Sequence, residues 1–348
     1  MRQASARQVR SSRRHNNDRK ENNKTVPQKN KAKLSDKVKS LNNSTIVLNP
    51  TVLVLATYVL LLLSKIIDLT LINRENQYFS VVLLQMMIFL LPGAIWCRFS
   101  GEKYTKNLRL KMIRPSGIVI TIAAAFFMIS GGLLISVLFG GLESLSDNFS
   151  LYNTFVSRDD GTAPAKIYLI VAYAVLPAIC EEFVYRGILC HEYEKGGVMR
   201  AVVISSVFFG LLHFNLQNLP VYIFSGVILA LTLYATRSLF GAMLAHMIYN
   251  IFGLFGQRYM SSLYNMTGST KFFIFIVTLV FLVSGIVFCS QAARLYKQYL
   301  YRGYSAKYRQ PVLTENKDIK NSYLEVLKLP STVACLVIYI IALAISWL

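Results

Sequence analysis

Nine apolar stretches take up most of this chain, at about 47–69, 77–97, 117–140, 167–190, 198–215, 219–236, 239–256, 271–293 and 331–348. Each is long enough, or nearly so, to cross a hydrocarbon core of about 30 Å at a helical rise of about 1.5 Å per residue. Composition agrees: 54% of residues are hydrophobic and only 16% are charged, with a mean hydropathy of +0.45. A soluble domain carries about a quarter charged residues. The expected fold class is therefore an all-α polytopic membrane protein of about nine transmembrane helices.

The formal net charge of +20 is unevenly placed. Residues 1–44 hold thirteen Lys/Arg against three acidic residues and contain no aromatic side chain. Such a segment cannot bury enough apolar surface to fold. We expect residues 1–45 to be a disordered basic tail whose electrostatic partner is anionic lipid headgroups rather than nucleic acid. Residues 46–348 then form one transmembrane helical domain. More than forty residues precede the first apolar run, which does not fit a secretory signal peptide.

The excess of Lys/Arg on cytoplasmic loops orders the spans. Lys103, Lys106, Arg109, Lys111 and Arg114 follow the second span, and Arg294, Lys297, Arg302, Lys307, Arg309, Lys317 and Lys320 follow the eighth. Between the third and fourth spans lie Glu143, Asp147, Asp159 and Asp160. Nine crossings with a cytoplasmic N-terminus satisfy each of these loops and place the chain in the cell membrane. The short joint Asn215–Pro220 also admits a re-entrant pair for 198–215 and 219–236.

Ionisable groups inside such spans are costly and mark sites by default. The fourth span carries Glu181, Glu182 and Arg186, the fifth His213, and the seventh His246 and Asn250. Helical rise puts Glu181 and Glu182 roughly 13–15 Å from the cytoplasmic end, His213 roughly 22 Å, His246 roughly 10 Å and Asn250 roughly 16 Å. The groups therefore share one broad band. Glu182 and Arg186 are four residues apart and can pair, as can His246 and Asn250 in facing one cavity. Glu181 points about 100° away from Glu182 and stays free for chemistry. The bland readings are a structural Glu182–Arg186 ion pair, a packing His213, and Asn250 as helix–helix glue. His191 and Glu194 read as solvated surface, and Ser130-Gly131-Gly132 as a point of close helix packing. The five cysteines read as small membrane-helix residues, with neither a disulfide framework nor a thiolate metal site.

Glu181-Glu182-x-x-x-Arg186, Phe209-x-x-x-His213 and His246-x-x-x-Asn250, in that order on successive apolar segments, resemble the three motifs of the CAAX-protease and bacteriocin-processing family of intramembrane glutamic peptidases. The resemblance covers roughly residues 110–260. It implies that Glu181 and His213 activate a water and that His246 and Asn250 stabilise the oxyanion. Glu182 and Arg186 would hold the local architecture, with Phe209 supporting the site.

The residue types fit that chemistry independently, since peptide hydrolysis needs a base for water, a proton for the leaving amine and donors for the oxyanion. A metal reading stays open, with Glu181, His213 and His246 as a two-His, one-carboxylate set. No helical HExxH spacing occurs, so we expect a metal-independent endopeptidase without cofactors, acting on a peptide or membrane-protein substrate. The alternatives are a non-catalytic membrane scaffold or bacteriocin-immunity protein of the same fold, and a proton-relaying transporter. A transporter would carry matched broken helices in paired halves, whereas the polar groups here sit in spans four, five and seven.

Overall fold

The computed structural model describes residues 49–68, 82–100, 108–141, 166–301 and 323–347. The chain divides into two units, Met1–Asn49 and Pro50–Leu348, and the elements below belong to the second. The basic tail, residues 77–81 of the second span, Lys103, Lys106, the acidic residues Glu143 to Asp160 and the basic run from Arg302 to Lys320 lie outside the described residues.

Among the described residues every regular element is helical. They are α1 (Pro50–Asp68), α2 (Val82–Phe99), α3 (Pro115–Gly140), α4 (Ile167–Tyr193), α5 (Val198–Leu211), α6 (Leu219–Thr236), α7 (Leu239–Thr267), α8 (Thr270–Tyr301) and α9 (Pro330–Trp347). Six of them, α2, α3, α4, α6, α7 and α8, are long and apolar enough to cross a membrane; the apolar parts of α1, α5 and α9 are shorter. Proline opens α1, α3 and α9 and stands at the second position of α6, where a missing N–H costs the helix nothing.

Two spans contain π-helical turns, at Met86–Leu90 and Val171–Val175. Each ends just before a proline inside the span, Pro92 and Pro177. A proline ring clashes with the carbonyl four residues back, here Ile88 and Tyr173, each within its π turn. Widening the helix relieves the clash without breaking the span. A third π segment, Phe183–Leu189, follows Glu182 directly.

α3 is the hub, packing against α6, α7 and α8, while α4 packs on α7 and α9 on α1. Close approach at the hub depends on Gly131: a Cβ there would lie 2.5 Å from the Phe224 ring of α6, as the small-residue run predicts. The outward faces stay apolar. Phe126 of α3 is 51% exposed and Ile286 of α8 is 68% exposed, and an open groove of about 490 Å³ between them is lined by residues such as Val119, Ile122, Leu279 and Val283. A water-facing surface would not carry so continuous an apolar patch. The chain is an all-α, multi-pass membrane protein with at least six candidate transmembrane helices.

Candidate active site

Glu182 is fully buried on α4, and its Oε1 accepts two hydrogen bonds, from Arg186 Nη1 at 2.7 Å and from His246 Nδ1 at 2.9 Å. The Glu182–Arg186 pair is thus a three-group cluster joining α4 to α7. Arg186, 1% exposed, also donates Nη2 to the Gly226 carbonyl of α6 at 3.0 Å, and its guanidinium lies 4.2 Å from the Phe209 ring centroid of α5. Partners from four helices offset part of the hydration these charges lose on burial, while Arg186 Nε and Glu182 Oε2 find no hydrogen bond among the described residues.

Gly226 makes that reach possible. A Cβ at Gly226 would stand 3.0 Å from Ser206 Cα and Cβ, so glycine lets α6 lie against α5 without displacing its backbone while its carbonyl reaches Arg186. Phe209 lies at the centre of the aromatic contacts: its ring meets Tyr185, His213 and His246 edge-on at centroid separations of 5.6, 5.1 and 5.7 Å.

His213 does not lie on a helix as the span 198–215 implied. α5 stops at Leu211, and His213 sits in the following turn, half-buried. Its Nδ1 is 2.9 Å from the Phe209 carbonyl, and its ring stacks on Tyr222 at 3.8 Å and 11°. The next residue, Phe214, takes φ +47°, a left-handed conformation that costs a bulky side chain of order 1–3 kcal/mol. Here the chain reverses toward α6.

Each histidine therefore has Nδ1 committed as a donor, because a carbonyl and a carboxylate can only accept. In both, Nε2 is the nitrogen left for other chemistry. Their partners differ: a neutral carbonyl behind His213, a carboxylate backed by Arg186 behind His246.

Glu181 is 8% exposed; its Oε2 is buried and makes no hydrogen bond among the described residues. It lies within electrostatic reach of His246, Glu182 and Arg186. Asn250, one turn beyond His246 on α7, is half-buried. Direct contacts thus link Glu182, Arg186, Phe209, His213 and His246, while Glu181 and Asn250 adjoin this cluster in sequence without a bond to it. No group of three or more His, Cys, Asp or Glu among the described residues has metal-holding geometry.

Two sequence readings change. His191 and Glu194 are not solvated: they are 3% and 5% exposed. Glu194 accepts from Arg109 Nη2 at 2.8 Å and lies 3.4 Å from His191 Nδ1. Arg109 also sits over the Tyr234 ring at 5.1 Å, and its carbonyl accepts from Leu239 N at 3.0 Å. The segment before α3 is thereby latched onto the ends of α4, α6 and α7. Sequence reasoning also passed over Tyr222, whose one legible signal was an aromatic residue a short loop beyond His213.

No curated protein and no solved structure matches the chain. Residues 163–252 match one family model, described as Type II CAAX prenyl endopeptidase Rce1-like. That segment runs from the start of α4 into α7 and contains Glu181, Glu182, Arg186, Phe209, His213, His246 and Asn250. Over this part, the chain carries a Rce1-like CAAX protease family domain.

Proposed function

We propose that this protein is an intramembrane endopeptidase that cleaves peptide bonds of a membrane-associated protein or peptide with a water activated by Glu181 and His213. The observation that carries the reading is the convergence of two histidines of fixed tautomer and the Glu182–Arg186 ion pair beside a carboxylate, Glu181, whose buried Oε2 has no hydrogen-bond partner among the described residues. A carboxylate spent on neither an ion pair nor a cap is available to a reactant.

In the proposed sequence Glu181 takes the water's proton, aided by Nε2 of His213, as hydroxide adds to the scissile carbonyl carbon. The resulting oxyanion accepts hydrogen bonds from the Asn250 amide and from Nε2 of His246. His246 can donate there only as the imidazolium, since its neutral form has its one N–H on Glu182. The proton held by Glu181 then passes to the leaving amine as the C–N bond breaks. Each step uses groups of this chain, and we read the mechanism as metal-independent.

The same reading has nine crossings, the N-terminus in the cytoplasm and the site open to that side, with the basic tail on anionic headgroups. The family description points to prenylated CAAX substrates as one class to test. Purified protein in proteoliposomes, offered prenylated CAAX peptides and unprenylated peptides, is expected to cleave at least one class. Cleavage should survive strong chelators. Stoichiometric zinc whose removal and return abolished and restored cleavage would replace this mechanism with a metal one.

A further inference from the structure

The turn that carries His213 is held from outside the family domain. Tyr58 of α1 is fully buried and donates its hydroxyl to the Phe208 carbonyl of α5 at 2.6 Å. That carbonyl also accepts from Leu212 N at 3.1 Å. A carbonyl has two lone pairs, and Tyr58 takes the second one here, a single residue before Phe209, tying α1 to the last turn of α5. The Tyr58 ring then meets the Phe214 ring edge-on at 5.6 Å. On another side Tyr339 of α9 lies 6.2 Å from Phe214. Phe214 and Tyr339 are 4% and 6% exposed.

A bulky residue holds a left-handed conformation only where its surroundings over-determine it. Two of Phe214's neighbours are tyrosines from the terminal helices, which pack on each other and lie outside residues 163–252. We infer that Tyr58 and Tyr339, acting through the strained Phe214, are positioning residues that fix the orientation of His213. The inference rests on the peptidase reading for its consequence in turnover, and on geometry alone for its effect on the imidazole. It gives α1 and α9 a part in the reaction that the family motifs do not.

The test uses the full chain, labelled with ¹⁵N-histidine, in lipid nanodiscs. There are four histidines, and His213→Gln assigns the signal of interest. The native protein should show His213 as one neutral tautomer, protonated at Nδ1. Tyr58→Phe, which removes a single hydroxyl, and Phe214→Leu, which removes the ring contacts, should each move the His213 signal toward a tautomer mixture and leave the His246 signal in place. Turnover should fall by about 10- to 100-fold with a much smaller change in KM, the scale on which a misplaced catalytic group acts. Tyr339→Leu should act in the same direction.

An unchanged His213 signal in all three variants would overturn the inference even if turnover fell. Movement of the His213 and His246 signals together, with lowered melting, would also overturn it by showing a general structural role. If the native protein cleaves nothing, the peptidase reading fails, and the His213 signal still decides this one.

Discussion

At the scale of single residues, the site depends on which atoms are already committed. Glu182 Oε1 serves two donors and Arg186 serves two acceptors, whereas Glu181 serves none among the described residues. Removing Arg186 strands a fully buried carboxylate, a loss typically of about 3–5 kcal/mol. Arg186→Ala should therefore lower the melting temperature in detergent as well as abolish activity. Unchanged melting with activity gone would instead place Arg186 in contact with substrate. The motif residues were legible in sequence because charges are so rare in these spans that each stands out. The Glu182–His246 bond was not, since helical periodicity relates residues within one helix and is silent about which faces of α4 and α7 meet.

At the scale of elements, the helices themselves were legible from apolar length, and their interruptions less so. The π turns before Pro92 and Pro177 follow from proline sterics and could be read from those two residues. The end of α5 at Leu211 could not, because Leu212 and Phe214 continue its apolar pattern past the point where the backbone turns. Close packing of α5 on α6 depends on Gly226, so Gly226→Ala should destabilise the fold by about 1–3 kcal/mol through overpacking against the Ser206 backbone. Thermal unfolding would measure this; a neutral result would mean that α5 and α6 can separate without loss.

The latch at the ends of α4, α6 and α7 has its own pH signature. Burial disfavours the Glu194 carboxylate, but the His191 hydrogen bond together with the charge and hydrogen bond of Arg109 outweigh it and hold the group below its ordinary value of 4.5. A carboxylate shifted downward stabilises the fold at pH above that ordinary value, and the contribution disappears as pH falls through the folded-state value. Melting temperature should drop on acidification below about pH 4.5, and Glu194→Gln should flatten that drop while lowering stability near neutrality. An identical acid profile in the variant would remove Glu194 from the account. Sequence alone placed His191 and Glu194 at the surface because a short polar loop normally is; Arg109, far away in the chain, buries them.

At the scale of the whole molecule, the design is a membrane bundle in which a polar cluster is shared among α4, α5, α6 and α7 and braced by α1 and α9. Apolar outer faces keep it in lipid, and the Glu182–Arg186 and Arg109–Glu194 ion pairs join its helices through buried charge. The central claim is that Glu181, the carboxylate of the cluster that makes no hydrogen bond or ion pair among the described residues, does the chemistry. The most direct test is turnover of the purified native protein against Glu181→Gln on the same cleaved peptide, with melting temperature recorded for both. Glu181→Gln should retain the native melting temperature and lose cleavage to below detection. Native turnover in a folded Glu181→Gln protein would contradict the account.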